Sequence, residues 1–513
     1  MKKQMHTKKA QLRIYFLSRS YVVRRLLSPK KFVTLRTLCK YAEVDITSCS
    51  QAVQACLDKT VNHVSMIDED VAVYPIGSIC VARDMKEAAL AMTHKPIALL
   101  TEQQFGDYPC LVVPNVSATF SRFCHYYREL NKDVHITAVT GSIGKSTTKG
   151  MIASVYSEYD KKALYSLAND NSPAMVGYAV QHIPTKCKLM VQEVLENIPN
   201  ETGYMSKMLE PHVAVIAAID NSHFEAFESP EGIVKEICSI AEGLQDNGYV
   251  VIDKVDMPRA EKYLAGRKVV TVSDTDTTAD YYAENIQITQ KGLKFDVVER
   301  ETGRREEVRL VNIYARHNIA IALRAFAAGR CENIPYEVIA SGLGNYRTLG
   351  YRQNVVWTQD GVCLYADCYN SIASSVKAAL DTADVISVKG KRIAVLGDIA
   401  ECGSLSDEEH DKVVQSVNES AFDVMLSVGE NMNAAVRRGK MRDSLQCFPC
   451  ETREAVVKEL RKIVQPGDLV LVKASGAGKL EKVIKALWPE DYHQMITPYI
   501  KRRRSWEFYS AIH

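Results

Sequence analysis

From Thr140 to Thr147 the chain reads TGSIGKST, a spacing suited to phosphate chemistry. Gly141 and Gly144 let backbone N–H groups close on an anion, and a helix starting directly afterwards adds positive potential at its N-terminus. Ser142 and Thr147 complete the loop, Lys145 is placed to meet a nucleotide's outer phosphates, and Ser146 offers a hydroxyl to Mg2+. The full G-x-x-x-x-G-K-[ST] pattern is broken, because Val139 stands at the first glycine position. The ligand implied is ATP with Mg2+, while the loop by itself names no reaction.

Such a loop needs a strand to deliver it and a helix to receive it. Val134 to Val139 is apolar and β-branched, and from Ser146 onward Met151, Ile152 and Val155 fall at helical spacing. Between 134 and about 345 the runs HITAVTG, KLMVQEV, VAVIAAI and GYVVIDK alternate with helical segments, which predicts a parallel sheet flanked by helices. KRIAVLGD, FDVMLSVG and GDLVLVKAS repeat the theme later, and SICVA, PIALLT and CLVVPN precede it in a smaller α/β region. The predicted architecture is α/β in three domains, 1–132, 133–347 and 348–513.

A chain of 513 residues is long enough for about three domains, each burying its own core. With 46% hydrophobic and 25% charged residues it reads as an ordinary globular protein, and a net charge of +2 argues against a dedicated nucleic-acid binder. Arg502, Arg503 and Arg504 form only a short basic run. Arg13, Arg19, Arg24 and Arg25 interrupt the apolar part of the N-terminal segment, which fits neither a signal peptide nor a membrane span, so a cytoplasmic location is expected. The cysteines are scattered through apolar runs, such as Cys80 in GSICVA and Cys238 in EICSIA, and read as buried reduced thiols. Cys447 and Cys450 in QCFPC are the only close pair, and no second pair or nearby histidine completes a zinc site.

Downstream of the loop come VQEVLEN at 191–197, DNSHFEAFESPEGIVKEI at 220–237, ARHNIAIAL at 315–323, DCYNSIASSVKAAL at 367–380 and VLGDIAECGSLSDEEH at 395–410. In this order, over about residues 130 to 485, the chain resembles the Mur ligases. Within that family the motifs are most similar to the branch that joins D-alanyl-D-alanine to a UDP-N-acetylmuramoyl-tripeptide. The resemblance implies an N-terminal domain for the UDP-sugar-peptide, a central P-loop domain for ATP and a Rossmann-like C-terminal domain, in a cytoplasmic monomer serving peptidoglycan precursor synthesis. It implies ADP-forming amide synthesis, in which ATP phosphorylates a substrate carboxylate, an amino group attacks the acyl phosphate, and phosphate leaves.

Carried over residue by residue, the resemblance implies that Glu193 joins Ser146 on Mg2+ and that His223 serves a second cation or the acyl phosphate. Asn318 would contact adenine, with His317 supporting that turn. Arg352 would neutralise the transferring phosphoryl group, and Asp367 would meet the ribose hydroxyls, with Tyr369 and Asn370 continuing that motif. Since Arg352 and Asp367 lie beyond the central domain, closure of the third domain is expected to complete the site.

The chain departs from the family in several places. Read without gaps from His223, Ile237 stands where most of the family has a lysine that becomes carbamylated and bridges the metals. Lys235, two residues away, points to a different helix face. On this reading Ile237→Lys would raise activity or lower the Mg2+ requirement, provided the lysine has room to reach the site. Gly476 replaces a usual arginine and Ile372 a usual asparagine. The first domain passes from GSICVARDMKEAA to its next strand without the Gly- and Asp-rich segment that helps hold the uridine nucleotide. Open at this point are the D-alanyl-D-alanine-adding reaction, a Mur-type ligase acting on a different carboxylate, and a nucleotide-binding paralogue without ligase activity.

Overall fold

Three separate sheets organise the chain in the computed structural model, which describes residues 33–47, 49–66, 77–166, 170–184, 186–220, 227, 229–348, 350–369, 371–399 and 405–495. The first sheet joins β1 (His63–Ser65), β2 (Ser78–Val81), β3 (Ala98–Thr101) and β4 (Cys110–Val112) in sequence order, all parallel.

The central sheet contains β5 (His135–Thr140), β6 (Leu164–Tyr165), β7 (Leu189–Glu193), β8 (Val213–Ile216), β9 (Tyr249–Asp253), β10 (Lys268–Ser273), β11 (Tyr281–Thr289), β12 (Gly292–Glu299) and β13 (Arg305–Val311). Their spatial order is β13-β12-β11-β10-β9-β8-β5-β7-β6. Every residue of β7 and β8 is buried, as expected of strands covered on both faces by crossover helices. The sheet is not parallel throughout, as the alternation of strands and helices had suggested. β12 pairs antiparallel with both β11 and β13. In β13, Val308 and Leu310 are buried while Arg305, Glu307 and Arg309 are exposed, a period of two that fits one covered face and one wet face.

After β5 the chain crosses to β6 and β7 on one side, then returns to β8 on the other. The C-terminal ends of β5, β7 and β8 therefore surround a topological switch point, where open α/β sheets bind their ligands. Register sets Glu193 beside Val139, and Ile216 beside Thr140. Helix Lys145–Tyr159 leaves from this edge and buries Met151, Ile152 and Val155. Helices Asn318–Cys331 and Tyr336–Asn345 pack on it. Gly342 makes that approach possible, since a Cβ there would lie 2.6 Å from the Cα of Val155.

The third sheet holds β14 (Asn354–Trp357), β15 (Cys363–Asp367), β16 (Arg392–Gly397), β17 (Val424–Val428), β18 (Gln446–Cys450) and β19 (Leu469–Lys473) in the order β14-β15-β19-β16-β17-β18. Only the edge strand β14 is antiparallel to its neighbour. Asp367 and Lys473 are register partners at the ends of β15 and β19.

The described cysteines are all free. Burial pushes the thiols of Cys80 and Cys238 up to about 12, which leaves them protonated and inert at neutral pH. Cys447 and Cys450 stand three apart on β18, hence on opposite faces of the strand. Among the described residues, no helix is long and apolar enough to cross a membrane.

Candidate active site

The loop after β5 closes on backbone. Gly141 has φ +130°, and a Cβ there would lie 2.9 Å from the backbone nitrogens of Ala217 and Ala218, so only glycine fits. Gly144, the N-cap of helix Lys145–Tyr159, has φ 85° and leaves the first helical N–H groups without a side-chain cap. The Ser142 amide donates to Ala218 O at 2.8 Å. Its hydroxyl exchanges hydrogen bonds with the Asp220 backbone, accepting from N and donating to O at 3.0 Å each. The Ser142 side chain thus ties the loop to the segment after β8.

Two lysines meet two carboxylates at this edge. Lys145 Nζ donates to Gly141 O at 2.7 Å and to Glu196 Oε1 at 2.6 Å. One turn further along the helix, Lys149 Nζ lies 2.9 Å from Glu193 Oε2. The other Glu193 oxygen accepts from Ser146 Oγ at 3.2 Å and from Asn171 Nδ2 at 3.0 Å. Glu193 is 1% exposed, with its backbone N–H held by Ser166 Oγ at 3.0 Å, so its carboxylate is fixed in place. The Ser146 hydroxyl and the Glu193 carboxylate form a hard oxygen donor pair on adjoining elements, a set that fits Mg2+. His223, the remaining metal candidate, lies outside the described residues, as does Asn370.

A shallow cleft opens from Thr147 toward the third sheet. The central sheet's side supplies Thr147, Tyr314, Ala315 and Asn318, and the other side supplies Arg352, Gln353 and Tyr365. Asn318 begins helix Asn318–Cys331 and is 5% exposed, with Nδ2 donating to Ala315 O at 3.1 Å. Next to it, His317 Nε2 lies 3.1 Å from Gln353 Oε1, a polar contact across the cleft. Burial holds the Tyr365 phenol well above the ordinary tyrosine range, so it remains a neutral donor. The Arg352 guanidinium stacks on Tyr369, its carbon 3.3 Å from the ring centroid.

Asp367 does not line this cleft. Its Oδ1 accepts from the Gln353 amide at 3.2 Å, and its Oδ2 meets Lys473 Nζ at 2.7 Å. Both groups are buried, Asp367 at 6% and Lys473 at 1% exposure. In this state the carboxylate anchors the turn that carries Arg352 and Gln353.

The departures from the family pattern have distinct physical settings. Ile237, in helix Pro230–Cys238, is fully buried in a core cluster with Met205, Ile233 and Ile240, whereas Lys235 on the same helix is exposed. The expected gain from Ile237→Lys is therefore withdrawn, because the lysine would enter packed apolar surroundings. Ile372 is 48% exposed and caps helix Ala373–Val385. Gly476 opens a short turn in which a Cβ would lie 3.2 Å from Tyr369 O.

Sequence reasoning singled out Lys145, Ser146 and Glu193, and missed Lys149, Asn171, Glu196 and Lys473. Lys149 carried a usable signal, standing four residues after Lys145 on one helix face. The Lys473–Asp367 contact spans 106 residues and left no local trace.

Residues 139–329 match the Mur ligase middle domain, and residues 351–476 match the Mur ligase, glutamate ligase domain. The chain is similar to the UDP-N-acetylmuramoyl-tripeptide--D-alanyl-D-alanine ligase of Escherichia coli (strain K12), 26% identical over 385 residues that span 74% of this chain and 82% of the relative. In structure it is similar to MurF from Acinetobacter baumannii (crystal structure II), with TM-score 0.75 at 22% identity over 90% of this chain and 100% of that one. The MurF ligase of Thermotoga maritima in complex with ADP gives TM-score 0.68 at 18% identity, over 87% of this chain and 99% of that one. At these identities the structural likenesses speak for the fold.

Proposed function

Because the chain belongs to the Mur ligase family, we propose that it is an ATP-dependent, ADP-forming amide ligase that adds D-alanyl-D-alanine to a UDP-N-acetylmuramoyl-tripeptide in the cytoplasm. The observation that carries this reading is the Lys145, Ser146 and Glu193 cluster at the sheet's edge, directly followed in the chain by Thr147, which lines a cleft with Asn318 and Arg352. That layout suits a nucleotide with its phosphates at the central sheet's edge and its base in the cleft. The three sheets support units of 1–132, 133–347 and 348–513.

In the proposed reaction the loop amides and Lys145 hold the phosphates. Ser146 and Glu193 would hold Mg2+, which when bound neutralises phosphate charge and fixes the γ-phosphate's orientation. The tripeptide carboxylate displaces ADP to give an acyl phosphate, and the dipeptide amine then attacks that carbonyl and expels phosphate. Arg352 is the cation on the opposite wall, suited to stabilise charge on the transferring group after it leaves Tyr369.

Phosphate release by purified protein with ATP, Mg2+ and UDP-N-acetylmuramoyl-tripeptide should depend on D-alanyl-D-alanine. Release with neither the tripeptide nor any other UDP-muramoyl peptide in a panel would sink the assignment. A Mur-type ligase acting on a different carboxylate is the second reading. It is favoured by the direct passage from β2 through helix Met85–Met92 to β3, which leaves no room for a longer uridine-binding segment. Turnover with another carboxylate in the same panel would establish it.

A further inference from the structure

Glu193 turns its two carboxylate oxygens to different partners. Oε1 accepts from Ser146 Oγ at 3.2 Å and from Asn171 Nδ2 at 3.0 Å, so it faces the hydroxyl that fits Mg2+. Oε2 lies 2.9 Å from Lys149 Nζ, and the lysine and glutamate side chains are 6% and 1% exposed. Lys149 stands one turn after Lys145 on helix Lys145–Tyr159, and its neighbours Thr148, Met151 and Ile152 are buried as well, so the ammonium is built into the wall of the site. A divalent cation held through both Glu193 oxygens would come within about 5 Å of that ammonium in a poorly solvated place, where like charges repel strongly. A cation held through Oε1 alone, on the Ser146 side, keeps the carboxylate between the two positive charges.

We propose that Lys149 is a positioning residue that sets which divalent cation the site accepts. By holding Oε2 it restricts Glu193 to a single metal-facing oxygen, which suits Mg2+ and penalises Ca2+. Mg2+ demands a tight octahedron and keeps several waters, so one carboxylate oxygen beside a hydroxyl serves it well. Ca2+ takes more oxygens at longer distances and gains from a carboxylate that offers both. The inference rests on the ATP-binding reading above. It separates Lys149 from a simple background charge, whose loss would strengthen both metals by the same factor, whereas loss of a clamp on Oε2 favours Ca2+.

Electron paramagnetic resonance of Mn2+ on the protein–ADP complex, with Mg2+ or Ca2+ as the displacing ion, reads the ratio of the two affinities. Wild type should prefer Mg2+. Lys149→Met, unbranched but without charge or donor, should shift the ratio toward Ca2+ by about tenfold, the scale on which partners of a ligand tune a metal site. Lys149→Arg keeps a cation on Oε2 and should stay within about threefold of wild type. Melting temperatures check that each variant is folded, and if Lys149→Met is not, Lys149→Gln, uncharged and shorter, carries the same prediction. A ratio unchanged in the folded neutral variant, a gain of the same factor for both ions, or a wild type that favours Ca2+ would overturn the proposal while leaving the nucleotide site standing. A wild-type ADP complex that binds no Mn2+ would overturn the metal–nucleotide reading and this inference with it.

Discussion

The two walls of the cleft handle charge differently. On the central wall, Lys145 and Lys149 are locked to Glu196 and Glu193 at the C-terminal edge of one sheet, close to where a ligand's phosphates would sit. On the opposite wall, the corresponding strand-end pair, Asp367 with Lys473, lies beneath the surface, while Arg352 rests on the face of Tyr369, which is 42% exposed. One wall is preassembled from residues inside the fold. The other carries its cation stacked on a half-exposed ring, at a turn that Asp367 anchors through the Gln353 amide. Nucleotide binding should therefore depend mainly on the first wall, and phosphoryl transfer on the second.

Lys145→Ala tests the first half of that contrast and should have the largest effect. It removes the phosphate-facing cation, so kcat/KM for ATP should fall about 100- to 1,000-fold, the scale of losing one preorganised charge-stabilising donor. The fold should survive, because the lysine stands at the first position of its helix, at the sheet's edge rather than in the apolar core. Initial rates of phosphate release measure this, and activity above about a tenth of wild type would remove Lys145 from the mechanism.

Ile237→Lys asks how much charge the central wall's packed flank tolerates. Ile237 has no exposed surface and packs in an apolar cluster with Met205, Ile233 and Ile240, unlike the two lysines of the site, which meet carboxylates. Burying an unpaired ammonium should cost at least about 3 kcal/mol, and at roughly 2–4 °C per kcal/mol for a domain of this size the melting temperature should drop by about 10 °C. A variant that melts like wild type and needs less Mg2+ would show that this helix can turn its side chain toward the metals.

Arg352→Ala tests the second wall. The expected signature is a loss of about 100-fold in kcat with the ATP dissociation constant changed by less than about threefold, because the guanidinium stacks on Tyr369 before the reaction and contributes chiefly in the transition state. Rapid-mixing or steady-state rates, set against calorimetric binding, separate the two quantities. Equal losses in both would make Arg352 a ground-state contact and erase the contrast between the walls.

How much of this was legible in the sequence differs along the same line. The phosphate loop and its strand and helix were readable because they are local: glycines at fixed offsets, a β-branched run before them, helical spacing after. Ser146 and Glu193 were also reachable through short motifs. The partners that set the site's charge, Glu196 for Lys145 and Lys473 for Asp367, are joined across 51 and 106 residues, and no spacing rule spans such distances. The antiparallel strands β11 to β13 were missed because the preceding parallel strands set the expectation, although Val308 and Leu310 alternate with charged neighbours. Ile237 showed the limit of matching positions along a helix, since a gapless correspondence gives the residue's place in the series and says nothing of whether its side chain meets ligand or core.

Tyr369→Leu should have the smallest effect and the most informative direction. A cation–π contact at a half-exposed site is worth about 0.5–1 kcal/mol, so removing the ring should release Arg352 by only that amount. If the stacked arrangement is a resting place that the arginine leaves on the way to the transition state, kcat should rise by about twofold to fivefold with KM for ATP nearly unchanged, because the guanidinium no longer has to leave an aromatic face. If the ring instead aims the guanidinium at the transferring phosphoryl group, kcat should fall and KM should stay. Only the first result fits a wall whose cation waits on the ring, and initial rates over a range of ATP concentrations at saturating peptide and amine decide between them.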